Sequence, residues 1–324
     1  MPSPPTFTET WGCQMIAFIF DLLLYGVALI LVAQYFYSAA NADGIFTKIT
    51  VGLVFFFSTV HVAFLSHQIY TDYVTWFNQP ALLNIIPFSA SAMLLAIYLT
   101  SFVAQIFFAS RVWLLAKGTG RKILYSSPVI LLAVLQLAFG IAQDVLVIKT
   151  AVFSRLETTA RITSTQAGAC AACDIIITLV LCFLLNEARS NSRRTNSIVD
   201  KLILYAINRG AATSTAALVQ LILFVAKPGT FIFMIFLLPS CHLYVISVVS
   251  MLMSREALRS KLTGTPERSS NFQLDSFRNN PHDVSRHTTS GHGVSVFTFT
   301  SMHHDESRRS DIAKAEAGEV AQRF

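Results

Sequence analysis

Seven apolar runs, each long enough to cross a bilayer, limit what this chain can fold into. They lie at roughly Gln14–Tyr37, Ile49–Tyr70, Ser89–Leu115, Pro128–Ile148, Thr163–Leu185, Leu202–Ala226 and Phe231–Met253. A hydrocarbon core about 30 Å thick is spanned by about 20 helical residues. No water reaches that core, so backbone polar groups must bond within the protein, which leaves helices and closed barrels. A barrel needs short segments of alternating polarity, and these runs are continuously apolar. Only 13% of the 324 residues are charged, against about 25% in soluble domains. The expected fold is all-α: a polytopic membrane protein of seven transmembrane helices spanning 1–256, with a disordered cytoplasmic tail over 257–324.

Lysine and arginine set the orientation. Connectors one, three and five carry Lys48, then Arg111, Lys117, Arg121 and Lys122, then Arg189, Arg193, Arg194 and Lys201. The second connector has no basic residue, the fourth has Lys149, Arg155 and Arg161, and the sixth has Lys227. Basic residues accumulate in cytoplasmic loops. The N-terminus is therefore expected outside and the C-terminus inside, and Arg255, Arg259 and Lys261 agree. The polar connector Asn186–Ser197, with Arg189, Arg193 and Arg194, is expected to be the main basic inner loop. The net charge of +6 follows from this rule, and no nucleic-acid partner is expected. Arg255–Leu262 can form a short interfacial helix on anionic lipid. Beyond Pro266 aliphatic residues are too few to offset ordering entropy.

Ionisable residues inside spans are costly and usually face the bundle interior. Here they are Asp21, His61, His67, Asp144, Asp174 and His242. Asp21, His67 and Asp144 are expected in the outer half, and His61, Asp174 and His242 near the middle. Together they are a candidate polar cavity, set against a plain hydrogen-bond network between helices. His61 and His67 point about 120° apart on a helix, so they cannot share one ion. Cys170, Cys173 and Asp174 share a face, but a second cysteine pair is missing. Neither a metal site nor a cofactor is expected. Span seven has no lysine for a retinal linkage. Pro239 is expected to kink it, with Ser240, Cys241 or His242 satisfying freed backbone groups. Gly168, Ala169, Ala171 and Ala172 permit close helix approach in span five. Lys227-Pro228-Gly229 is expected to form a tight turn.

Several motifs occur in a fixed order. Leu24-Tyr25-Gly26-Val27 and Gln34-Tyr35 lie in span one, and His61 and Ser66-His67-Gln68-Ile69-Tyr70 in span two. Gln105-Ile106-Phe107-Phe108-Ala109-Ser110-Arg111 closes span three, and span five carries Asp174. Arg194-Thr195-Asn196-Ser197, Lys201-Leu202, Tyr205, Asn208-Arg209-Gly210, Pro228-Gly229-Thr230-Phe231 and Leu243-Tyr244 follow. Over about residues 12–256 the chain resembles the fungal, mushroom-type seven-span membrane family defined by a conserved domain of unknown function. Ile246 and Met253 stand where that family typically has asparagines. The resemblance implies a seven-helix integral membrane protein and supplies no catalytic residues.

Three functions follow as expectations, none of them enzymatic. The first is a receptor-like sensor with a regulated cytoplasmic tail. The second is a transporter or channel-like protein using the intramembrane Asp and His residues. The third is a structural or lipid-organising protein. The expected partners are the lipid bilayer, a small molecule from the outer side, and a cytoplasmic protein at the fifth connector or tail. The expected location is a membrane, with the plasma membrane as candidate.

Overall fold

A computed structural model describes residues 6–40, 43–116, 121–187 and 193–263. For 39, 80, 81, 154, 156 and 157, for 193–199, for 201, 202 and 205, and for 255–263, it describes the backbone alone. Arg189, Lys117 and the tail from residue 264 lie outside the described residues, as do the side chains of Arg193, Arg194 and Lys201.

Among the described residues eight α-helices form: α1 Cys13–Gln34, α2 Ile45–Tyr70, α3 Pro80–Leu83, α4 Phe88–Leu115, α5 Lys122–Thr150, α6 Ala160–Glu187, α7 Arg193–Ala226 and α8 Met234–Thr263. All but the one-turn α3 are long and apolar enough to cross a membrane. No strand occurs among the described residues. The chain is a multi-pass integral membrane protein.

The spanning helices close a ring. Neighbours in sequence pack together, α8 returns against α1, and α4 also touches α6 and α8. This makes α4 the central post, with 61% of its most apolar window buried against 22% for α1. The outward faces of the ring are apolar, with Leu23, Phe56, Leu131, Leu179 and Ile222 all exposed. These are the side chains a bilayer solvates.

At the end where α1 begins, the connectors interlock. Ile86 N–H donates to Ala151 O and Phe153 N–H to Asn84 O, each at 2.9 Å. Phe231 N–H donates to Glu9 O at 3.0 Å. The rings of Trp11, Phe153 and Phe231 meet with centroids 5.1–5.6 Å apart. Below this aromatic cap, Trp11, Leu65, Met93, Leu237 and Leu238 belong to one apolar cluster. A second cluster, including Phe107, Leu181, Leu185, Val248 and Leu252, fills the opposite half.

The turn at Lys227-Pro228-Gly229 is as expected. Gly229 has φ 78° and Thr230 N–H donates to Lys227 O at 3.3 Å, the pattern of a proline and glycine at the two turn centres. Other boundaries differ from the expectation. Pro128 lies inside α5, which begins at Lys122. The connector Asn186–Ser197 is mostly helix, since α6 runs to Glu187 and α7 starts at Arg193. Arg255–Leu262 continues α8 instead of forming a separate helix. Arg111 is not a loop residue. It is buried on α4, donates from Nη2 to Thr47 Oγ1 at 3.1 Å and stands 4.6 Å over the Phe107 ring. In each case helical hydrogen bonding continued past the point where polarity changed. Composition marks the membrane boundary, not the helix end.

Candidate functional site

The two apolar clusters enclose a layer of buried polar side chains, and all seven spanning helices contribute hydrogen-bonded members. α5 and α4 are joined by Gln136 Nε2 donating to Ser101 Oγ at 2.7 Å. Within this layer are two ionic centres.

Asp21 of α1, His61 of α2 and His242 of α8 form the first centre. All three are fully buried. Asp21 Oδ1 lies 3.1 Å from His61 Nε2 and 3.0 Å from His242 Nε2. The outer ring nitrogens are held from behind, His242 Nδ1 at 2.8 Å from Ser58 Oγ and His61 Nδ1 at 3.4 Å from Met93 O. Pro239 lies inside α8 just before His242. Ser240 Oγ donates to Leu237 O at 2.6 Å, while the carbonyl freed by Pro239 is that of Ile235, four residues earlier. Cys241 and His242 instead turn inward, Cys241 Sγ to Thr100 Oγ1 at 3.4 Å.

Asp174 of α6, Arg209 of α7 and Tyr244 of α8 form the second centre. Arg209 Nη2 donates to Asp174 Oδ1 at 2.9 Å, and Tyr244 O–H donates to Asp174 Oδ2 at 2.7 Å. Cys170 Sγ stands 3.0 Å from the Tyr244 oxygen. The Arg209 guanidinium lies 3.7 Å over the Phe108 ring, a cation–π contact strengthened by desolvation. Its Nε and Nη1 have no hydrogen-bond partner. Arg209 also lines a cavity of about 250 Å³ between α7 and α8, together with Phe108, Ala212, Leu243, Ser247 and Ser250. Asn208 and Ala212 at its edge are exposed, so the mouth faces the lipid side of the ring.

The six ionisable residues singled out in the sequence therefore do not share one cavity. Asp21, His61 and His242 meet, while Asp174 pairs elsewhere with Arg209. Asp144 is buried on α5 and faces Ser91. His67 is exposed on α2, as its 120° offset from His61 requires. Sequence reading missed Arg209, which looked like part of a motif, and Tyr244. It also missed Asp72, which is buried and accepts from Gln14 Nε2 at 3.0 Å, because Asp72 lies just past the end of the second apolar run. Buried glutamines within apolar runs, Gln14, Gln105 and Gln136, were the available signal for the polar layer.

Residues 170–257 match a family of unknown function (DUF6534). That segment contains Asp174, Arg209 and Tyr244, the whole second centre, but only His242 of the first. No curated protein matches the chain, and no solved structure does.

Proposed function

We propose that this protein is a receptor-like membrane sensor that reads an acidic amphiphile at Arg209, through the gap between α7 and α8. The observation that carries this reading is the buried Arg209 guanidinium, two of whose nitrogens have no hydrogen-bond partner, on a residue that borders a cavity. A carboxylate or phosphate head is the natural partner for such donors, because charge-assisted hydrogen bonds are strong where water is scarce. The rest of the lining is largely apolar. At about 250 Å³ the cavity is below the usual size for a whole drug-like ligand. It suits a head group and a few methylenes, with the tail left in the bilayer.

The output would run along the same two helices. At 1.5 Å per residue, α7 is roughly 50 Å long and α8 roughly 45 Å, longer than the hydrocarbon core of about 30 Å. Both extend at the end opposite the aromatic cap. By the distribution of lysine and arginine, that end is cytoplasmic. A ligand that changes the α7–α8 gap would move both extensions there, beside the basic segment and the tail. Transport is less well supported. An ion leaving the polar layer would have to cross apolar clusters built on fully buried Leu238 on one side and Phe107 and Leu181 on the other.

The test uses the full chain in nanodiscs with a photoactivatable long-chain fatty acid as probe. Crosslinks are expected on α7 and α8 residues around Arg209, and Ala212→Phe, which fills the cavity mouth, is expected to abolish them. Labelling spread evenly around the ring, or unchanged in Ala212→Phe, would overturn the reading.

A further inference from the structure

The structure assigns a divalent transition-metal site of the zinc type to Asp21, His61 and His242. One ligand atom from each of these residues lies within 4.8 Å of the other two. Two imidazole nitrogens and one carboxylate oxygen are a common donor set for such ions, with a fourth position left to water. Two ligands at 2.0–2.1 Å on a tetrahedral ion stand about 3.3 Å apart. The two Asp21–histidine separations, 3.1 and 3.0 Å, come within a small rotation of that value.

Hydrogen-bond bookkeeping gives the independent argument. Met93 O can only accept, so the Nδ1 of His61 that faces it at 3.4 Å carries the hydrogen. In the neutral ring, Nε2 then presents a lone pair to Asp21 Oδ1, which is also a lone-pair donor. A positive charge must lie between them, either the proton of an imidazolium or a metal ion. His242 also turns Nε2 toward Asp21, with Nδ1 on Ser58 Oγ, a hydroxyl that can donate or accept. Its Nε2 is 3.0 Å from Asp21 Oδ1 yet has no aligned hydrogen bond. That off-axis approach is how two ligands of one ion face each other, whereas the His61 Nε2–Asp21 Oδ1 contact at 3.1 Å is aligned and accommodates a proton when no metal is bound. Asp21 Oδ2 is also without a hydrogen-bond partner. Ser58 and Met93 are the outer partners that orient metal-binding histidines and leave the ligating nitrogen free.

Spacing along the chain does not single out these three among the six intramembrane ionisable residues, because they come from three helices. His61 and His67 look like a pair on α2, but the partners of His61 lie 40 residues before it and 181 after it in the chain. An ion here would tie α1, α2 and α8 together in the membrane interior. It would act on His242, two residues from Tyr244 of the second centre.

The full chain, expressed with Zn²⁺ in the medium so that the ion is present as the helices assemble, is purified into nanodiscs, washed with chelator, desalted and assayed for metal by mass spectrometry. About one zinc per chain is expected, falling at least fivefold in Asp21→Asn and His242→Gln but not in His67→Gln, as removal of one of three ligands demands. Should a ligand variant fail to fold, Co²⁺ substitution of the unaltered chain decides the matter: visible bands of a low-symmetry tetrahedral ion support the site. Stoichiometry near zero with no such bands overturns it, as does zinc retained equally by Asp21→Asn and His67→Gln.

Discussion

Arg209 commits one nitrogen to Asp174 and lays its plane on Phe108, so its side chain is fixed before any ligand arrives. Removing one partner of a buried ion pair leaves the other charge uncompensated, at a cost of about 3–5 kcal/mol. Arg209→Ala is therefore expected to lower thermal stability sharply in detergent. Asp174→Asn combined with Arg209→Gln, which removes both charges, is expected to recover most of that loss. Tyr244→Phe deletes one hydrogen bond to Asp174 and should cost only about 1 kcal/mol, typical of a bond inside a membrane bundle. If Tyr244→Phe and Arg209→Ala proved equally mild in a melting series, the centre would not be the electrostatic joint described here.

Among the elements, α8 links the two centres. His242 and Tyr244 are two residues apart, about 200° around the helix, so one faces α1 and α2 while the other faces α6 and α7. The pair at α6 and α7 depends on close helix approach at Gly210, where an added Cβ would collide with the Thr178 side chain. Gly168 of α6 has open space in the same position. Gly210→Ala should therefore separate α6 from α7 and weaken the Arg209–Asp174 bond, lowering the melting temperature by several degrees. Gly168→Ala should be neutral or slightly stabilising, because alanine is favoured over glycine in helices by about 1 kcal/mol. The small residues of span five suggested a close-approach stripe, but Gly168 has open space and the tight contact is at Gly210 of α7. Which glycine a neighbour actually needs depended on the rotation of each helix, and a helix apolar on all sides does not reveal its rotation. The same limit explains why the seven spans and the ionisable residues could be read, while the division into two centres could not. Polarity along one helix gives depth in the membrane. Partners across helices depend on packing.

For the whole molecule, the ring of seven helices sets a polar layer between two apolar clusters, under an aromatic cap. A sealed layer of this kind predicts little proton or ion conductance. Vesicles containing the protein are expected to hold an imposed pH gradient as well as empty ones, and a leak abolished by Asp174→Asn would point to transport. The orientation proposed from lysine and arginine puts the cap outside. An epitope tag at the N-terminus should be open to antibody in intact cells, and one after residue 324 only after permeabilisation; the reverse staining would invert the scheme.

The central claim is that Arg209 recognises an anionic head presented from the bilayer. The most direct measurement compares the affinities of oleate and oleyl alcohol for the full chain in nanodiscs. These ligands share a tail and differ in head-group charge. Charge-assisted bonds to a desolvated guanidinium predict that oleate binds at least about tenfold more tightly. That preference should disappear in the paired Asp174→Asn, Arg209→Gln variant. Equal affinity of the two ligands for the unaltered chain, or a preference that survives in the paired variant, would contradict the account.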